Sequence, residues 1–577
     1  MIGNGHIRVE PGITSNKYDV RRKLLLGVML LGMVLLFARA VYLQVFDTQF
    51  LKQQGDRRHV GVVSVSAYRG EILDRNNEPL AISTPVQSVW VNPKHLVEGE
   101  HERFKNAAKL LKVSDEKIKF LLKPEGTIRF SYLKRRINPA LAKQIKALDL
   151  KGVYFEREFK RYYPAGAVSS HVVGFTDIDD VGQEGMERGY ENSLKGIAGK
   201  KRVIRDGRRR VIKEKDVENI QAPVSGQDLV LSIDQRVQYL AFKALQEGFI
   251  KNKAFSASLV VLDARNGEIL AAVNQPAFNP NSRKGMKASA VRNRAMLDVF
   301  EPGSVVKPFV VAAALDGGYV DENIQIETHG FFKVGRNLVK DVHNYGTLDL
   351  MHVLKKSSNV AISKIALSMP REYFWDSYSQ LGFGVSANAG FPGEASGSLL
   401  DYQRWHDFEH ATLSYGYGVA TSVLQLARAY TALADDGILH SVSLLKRDED
   451  YDAKRVFSAD TAKKVKEMLE HVIKRDGTAY QARVDGYRVA GKTGTVKKAT
   501  AGGYADDRYL AVFVGLAPVS NPRFVIAVMV DEPSAGKYYG GLVAAPIFSK
   551  VMAGALRVYG VAPDKEDTMP VLLTQRK

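Results

Sequence analysis

The segment Leu24–Phe46 constrains this chain more than any other. From Leu24 to Ala38 every residue is apolar or glycine, and after Arg39 the run continues as Ala-Val-Tyr-Leu-Gln-Val-Phe. A helix of that length crosses a bilayer core of about 30 Å, with Arg39 near one end able to snorkel to the interface. Arg21, Arg22 and Lys23 precede it, which points the N-terminus into the cytoplasm. A cleavable signal peptide and a buried core helix are the alternatives. The run is long and no small-residue cleavage site closes it, so a single-pass anchor is the expectation. Residues 1–23 are then a cytoplasmic tail, 24–46 the transmembrane helix, and everything after Phe46 lies outside the cytoplasm.

The chain has 577 residues, enough for two or three domains and a sizeable core. Its 45% hydrophobic and 25% charged residues are those of a globular protein, which excludes a disordered one. A formal net charge of +19 suits a membrane surface, a polyanionic substrate or nucleic acid. No nucleic-acid module is present, so no nucleic-acid partner is expected. There is no cysteine, which removes disulfides, thiol catalysis and cysteine-ligated metal and sits easily with a periplasmic location. No metal site, nucleotide site or other cofactor is indicated. Gly416-x-Gly418 lacks the Walker or Rossmann context that would make it one.

The chemistry concentrates at Glu301-Pro302-Gly303-Ser304-Val305-Val306-Lys307-Pro308-Phe309, followed by the apolar run to Leu315. If Ser304 opens a helix, Lys307 lies one turn later on the same face. The helix N-terminus then offers free N–H groups to an oxyanion. A serine is a weak nucleophile until something takes its proton. A lysine does so only if burial or a nearby positive charge keeps part of it neutral. Ser-x-x-Lys also occurs at Ser114, Ser131, Ser443 and Ser534, so the spacing alone carries little. The company of Ser304 singles it out: Ser357-Ser358-Asn359 and then Lys492-Thr493-Gly494-Thr495 follow in order. Taken singly, Ser357 and Asn359 read as a helix cap or turn and Lys492 as a solvated edge-strand lysine. The ordered trio is the pattern of penicillin-binding proteins and class A β-lactamases.

The remaining chain divides at about Gly226. Residues 47–225 contain Tyr68-Arg69-Gly70 through Asp74-Arg75-Asn76, a charged helix-like stretch from Glu100 to Lys151, and a hairpin pattern turning at Asp206-Gly207. No nucleophile constellation occurs there, and His171 reads as structural. This part reads as a pedestal or docking module. Residues 226–560 change to α/β, with a hairpin signal at Asn266-Gly267 and strand patterns returning at Val489–Val496, Tyr509–Ala517 and Phe524–Asp531. Early strands, a central helical block and late strands predict one antiparallel sheet closed by both ends of the domain and flanked by helices. Residues 561–577 form a polar tail.

Taken together the chain resembles the class B penicillin-binding proteins, most closely the septal, FtsI-type peptidoglycan transpeptidases of Gram-negative bacteria. Beyond the trio, the resemblance rests on the Arg69-to-Asn76 motif, Tyr163-Pro164-x-Gly166 to Gly182-x-x-Gly185-x-Glu187, and Ser414-Tyr415-Gly416-Tyr417-Gly418 with Thr421 and Gln425. Asp531-Glu532-Pro533 and Tyr538-Tyr539-Gly540-Gly541 add to it. Val496 and Met186 depart from the usual residues. The resemblance implies an α/β penicillin-binding transpeptidase fold on an elongated α+β pedestal, with one transmembrane helix.

It also implies roles. Ser304 attacks the penultimate D-Ala carbonyl of a stem pentapeptide, Lys307 takes its proton with Lys492 nearby, Ser357 relays a proton, and Asn359 holds a substrate amide. Lys492, Thr493, Gly494 and Thr495 line the strand that binds the terminal carboxylate, and the N–H groups of Ser304 and Thr495 form the oxyanion hole. Implied partners are stem peptides and lipid-linked glycan strands, β-lactams as D-Ala-D-Ala mimics, an FtsW-type glycosyltransferase and other divisome membrane proteins. The implied location is the inner membrane at the division septum. Competing readings are an elongation-type class B transpeptidase, a membrane-anchored β-lactamase or carboxypeptidase, and a β-lactam sensor. The short cytoplasmic tail leaves no room for a signalling domain, and the pedestal does not resemble a glycosyltransferase.

Overall fold

The computed structural model describes residues 16–123, 128–205, 211–213, 219–447, 452–500 and 503–565. The expectations for the far N-terminus, the Asp206-Gly207 turn and the end of the C-terminal tail lie outside these residues.

The chain forms two compact units. The first comprises residues up to Ala67 together with Ile197–Val224. Its leading helix, Asn16–Val41, passes through a π-helical turn at Tyr42–Phe46, and the whole span Tyr18–Phe46 is long and apolar enough to cross a membrane. Arg39 stands 5.3 Å from the Tyr42 ring centroid. The strand Val60–Val65 pairs antiparallel with Gly199–Arg205, which also pairs with Val211–Lys213.

The second unit holds Tyr68–Gly196 and Ser225 onward. In its N-terminal part the long strand Pro79–Val91 pairs antiparallel with both Ser131–Ile137 and Val153–Tyr162. Val89 and Val91 turn one sheet face onto the helices His101–Leu110, Asp115–Leu121 and Pro139–Ala147, through Phe104, Ala107, Ile118 and Ile145. The helix-like expectation for Glu100–Lys151 is thus corrected at Ser131–Ile137. Local composition there is charged, but Leu133 and Ile137 bury while Lys134 is exposed, and pairing with the long strand overrides local propensity.

Charged residues of this region converge on one buried ion cluster. Glu187 is fully buried and accepts from Arg69 Nε at 2.8 Å and Arg161 Nε at 2.6 Å. Arg69 also reaches Glu191 at 2.8 Å, and Arg161 donates to Ser83 Oγ at 3.1 Å. Arg69 and Arg161, 92 residues apart, are pinned to one carboxylate. His171 is buried on an aromatic neighbour, Phe278, and its Nε2–H donates to the Ala290 carbonyl at 2.8 Å. Burial pushes its pKa down to about 4, the behaviour of a neutral structural histidine.

The catalytic-type domain is built on helix α1 (Gln235–Lys251), strands β1 (Ser256–Asp263) and β2 (Ile269–Gln275), and helices α2 (Lys307–Asp316), α3 (Leu350–Lys356), α4 (Asn359–Leu367) and α5 (Val423–Ala434). Strands β3 (Ala490–Thr500), β4 (Gly503–Ala517) and β5 (Phe524–Asp531) and helix α6 (Ala545–Val558) complete it. The sheet order is β2-β1-β5-β4-β3, antiparallel throughout, so both ends of the domain close one sheet as expected. β1, β2 and β5 are buried along their whole length because helices cover both faces. β3 is an edge strand.

Replacing Glu187 by Gln leaves two buried guanidinium groups without their carboxylate. Chemical denaturation is expected to show a loss of about 3–5 kcal/mol. A change below about 0.5 kcal/mol would contradict the structural role given to this cluster.

Candidate active site

The nucleophile candidate Ser304 does not open the α-helix. It lies in a 3-10 turn, Gly303–Val306, and α2 begins at Lys307. Pro308 explains the offset: it has no N–H to give and fits only in the first helical turn. Lys307 is therefore the first helical residue, and α2 is apolar all round from Phe309 to Ala314, which drives it fully into the core. The lysine goes with it and is completely buried.

The turn is held on several sides. Gly303 has φ +62°, and a Cβ there would come within 2.4 Å of Val496 Cγ2. Gly416, at φ +84°, lies so close that its own Cβ would meet the Gly303 carbonyl oxygen at 2.2 Å, while Gly303 N–H donates to Gly416 O at 3.2 Å. Only glycine fits both positions. The Gly416-x-Gly418 block thus serves backbone packing against the nucleophile turn. From below, the buried Tyr430 on α5 donates its hydroxyl to the Val305 carbonyl at 2.7 Å.

Ser357 closes α3 in the left-handed conformation, φ +62°, uncommon for a residue with a side chain. That geometry aims both its carbonyl and its hydroxyl at the lysines. Lys307 Nζ donates to Ser357 O at 2.6 Å, Ser357 Oγ at 3.2 Å and Asn359 Oδ1 at 2.8 Å. Lys492 Nζ donates to the same Ser357 Oγ at 2.9 Å and to Thr493 O at 3.2 Å. One hydroxyl bridges two amines that are both fully buried. The two nitrogens are then no more than about 6 Å apart, where two charges at an effective dielectric of about 20 repel by roughly 3 kcal/mol. Burial and the charge of Lys492 both push Lys307 well below its usual value, with Asp341 opposing. Burial brings Lys492 down to about 7.

The middle motif rests on a residue that carries no motif of its own. Asp341 follows a small hairpin, Phe331–Val334 with Asn337–Lys340. It accepts from Ser358 Oγ at 2.6 Å, from the Asn359 N–H, and from Val360 N at 3.1 Å, so its carboxylate fills the start of α4. Ser358 is the side-chain cap of the same helix, donated to by Ala361 N. Nothing in the local sequence marks Asp341; only its meeting with Ser358, 17 residues away, reveals it.

β3 presents the third motif beside the turn. Gly494 packs tightly on that turn: a Cβ there would press on Pro302 O at 3.0 Å and Val305 Cγ1 at 3.2 Å. Thr493 Oγ1 donates to Thr478 Oγ1 at 3.0 Å, and Thr495 Oγ1 accepts from Gly540 N at 3.0 Å. The Gly540-Gly541 pair expected as a family block therefore orients Thr495. Lys307, Ser357, Asn359 and Lys492 are joined by direct hydrogen bonds, and Ser304, Thr493, Gly494 and Thr495 frame them on the turn and the edge strand. Among the described residues no group of three or more His, Asp or Glu side chains could hold a metal ion.

Comparison with known proteins matches this architecture. Residues 257–553 fit the penicillin binding protein transpeptidase domain and residues 64–231 the penicillin-binding protein dimerisation domain. A protein named probable peptidoglycan D,D-transpeptidase PenA from Neisseria gonorrhoeae is 42% identical over 98% of this chain and 97% of its own length. Peptidoglycan D,D-transpeptidase FtsI of Escherichia coli K12 is 41% identical over 95% and 94%. The solved transpeptidase domain of Burkholderia pseudomallei penicillin-binding protein 3 is 42% identical, with a TM-score of 0.54 over 58% of this chain and 98% of that one. With both domain models matched in order and two-fifths identity along nearly the whole length, the chain belongs to the class B penicillin-binding proteins of FtsI and PenA type.

Proposed function

We propose that this protein is a septal peptidoglycan D,D-transpeptidase that works through a Ser304 acyl-enzyme. The observation that carries the mechanism is the bridging of buried Lys307 and Lys492 by Ser357 Oγ. Two ammonium groups cannot share so dry a site cheaply, so one is neutral near physiological pH. An ammonium has three donors and no lone pair, and Lys307 has three acceptors in Ser357 O, Ser357 Oγ and Asn359 Oδ1. On losing a proton it must give up one of these contacts. The freed lone pair then turns to the Ser304 hydroxyl, three residues back on the 3-10 turn, and takes its proton as general base.

Ser304 attacks the penultimate D-Ala carbonyl of a stem pentapeptide. The N–H groups of Ser304 and Thr495 stabilise the oxyanion, each worth about 3 kcal/mol of barrier. Ser357, hydrogen-bonded to both lysines, passes the proton to the departing D-Ala amine. Asn359 and the free edge of β3 hold the stem backbone as an added strand, with Lys492, Thr493, Gly494 and Thr495 at the terminal carboxylate. An amine from a neighbouring stem resolves the ester and forms the cross-link. β-Lactams acylate Ser304 as mimics of the donor. The Leu24–Phe46 segment anchors the chain once in the inner membrane with Arg21, Arg22 and Lys23 on the cytoplasmic side, and the likeness to FtsI supports action at the septum with an FtsW-type glycan polymerase and other divisome membrane proteins.

Detergent-solubilised full-length protein treated with a fluorescent penicillin is expected to carry one long-lived adduct that peptide mapping places on Ser304 and that Ser304→Ala removes. Rapid turnover without a trapped adduct would indicate a β-lactamase instead. The second-order acylation constant should follow a bell-shaped pH profile. Acidification protonates Lys307 and removes the base, while on the alkaline side Lys492 loses its charge, and with it the carboxylate contact, as pH rises through about 7. Asp341→Asn removes the one negative charge that favours protonated Lys307, so the acid limb should move to lower pH. A purely structural role for Asp341 would lower the profile without displacing it.

A further inference from the structure

A cross-linking enzyme needs a place for its second substrate, and the structure offers one beside the nucleophile turn. Glu301 stands three residues before Ser304, at most about 10 Å along the backbone. Its Oε1 accepts from Gly418 N at 2.8 Å and from the Tyr504 hydroxyl at 3.1 Å. Its Oε2 is buried and has no hydrogen-bond partner among the described residues. No cation pairs with it there either. Lys497 of β3, which like Glu301 acts on the Tyr417 phenol, is turned to Asp506 at 2.9 Å. A carboxylate met only by neutral donors is short of one positive charge.

The surroundings select the kind of cation. Tyr417 and Tyr504 stand edge to face at 5.1 Å, with Tyr415 5.7 Å from Tyr417. Tyrosine rings around a carboxylate suit an alkylammonium, which gains from both the charge and the ring faces. Tyr504 comes from the β3–β4 hairpin and is about half exposed, so it can swing aside and uncover Oε2. Burial and the Glu301 charge push its phenol pKa up, which keeps it a hydrogen-bond donor to the carboxylate when the site is empty.

We propose that Glu301, walled by Tyr417 and Tyr504, binds the ammonium of the acceptor stem and accepts its first proton. The inference rests on the transpeptidase reading and names the residues of its second half-reaction. Glu301 takes one proton from the ammonium, and the freed nitrogen pair forms the N–C bond to the acyl carbon. The Ser304 Oγ–C ester bond breaks, and a second N–H proton returns to Ser304 Oγ through Lys307. One amide forms, one ester is lost, and the proton left on Glu301 passes to water.

The test uses full-length protein in detergent, a thioester analogue of the acyl-D-Ala donor, and D-alanine as the amine, with aminolysis and hydrolysis products counted by mass spectrometry. In Glu301→Gln the D-alanine concentration for half-maximal aminolysis should rise about tenfold or more, and Glu301→Asp should recover part of the loss. Tetramethylammonium has the charge but no N–H to react, so it should compete with D-alanine in the wild-type protein beyond the effect of equal sodium chloride. An unchanged product ratio in Glu301→Gln, or wild-type aminolysis indifferent to tetramethylammonium, overturns the site. If Glu301→Gln fails to fold, the tetramethylammonium titration of the wild-type protein decides. A wild-type protein that forms no acyl-enzyme from the thioester overturns the transpeptidase reading itself.

Discussion

The hydroxyl of Ser357, shared by two fully buried lysines, is the contact on which the rest of this site depends. Burying an amine disfavours its charge, and burying two within about 6 Å disfavours the doubly charged state further. Three features of the fold surround the pair. Ser357 is held in a left-handed conformation, Asp341 fills the start of the next helix, and α2 is apolar on every side so that Lys307 cannot reach water. The left-handed Ser357 and the apolar α2 keep the Lys307 amine dry, while Asp341 caps α4 and is the one charge acting on Lys307 that works against its neutral form.

The sheet topology explains how the parts meet. β1 and β2 come from the start of the domain and β3, β4 and β5 from its end, with the helices that carry Ser304 and Ser357 inserted between. β3 lands at the sheet edge, where one side pairs with β4 and the other is open to an extended peptide. Gly494 lets the nucleophile turn press against this strand, and Gly416 closes it from the other side. In the pedestal part the buried Glu187 does comparable work, joining Arg69 and Arg161 from distant segments. Charge placed inside the protein fixes register in both regions, structural in one and chemical in the other.

Much of this was legible in the residues. The ordered trio singled out Lys307, Ser357, Asn359 and Lys492, which the fold joins by direct hydrogen bonds, together with Ser304 on the turn that precedes Lys307. The antiparallel sheet followed from strand patterns at both ends of the domain, with Gly267 at φ +71° making the predicted turn between β1 and β2. Local rules failed where distant contacts decide. Ser131–Ile137 is a strand because a partner strand is available. The start of α2 moved to Lys307 because Pro308 fits only the first turn. Asp341 and Glu301 are ordinary acidic residues in sequence, and their significance lies wholly in what they meet: Ser358 and Asn359 for one, Gly418 and Tyr504 for the other.

The central claim is that Lys307 and Lys492 cannot both be charged near neutral pH. It is tested most directly by NMR of protein labelled with 13C at the lysine Cε, titrated through pH and assigned with Lys307→Arg and Lys492→Arg. The account predicts Lys492 titrating near 7 and Lys307 well below the ordinary lysine value of about 10.4. Two assigned resonances that both titrate near 10 would mean a doubly charged site, and the base proposed for Ser304 would not exist.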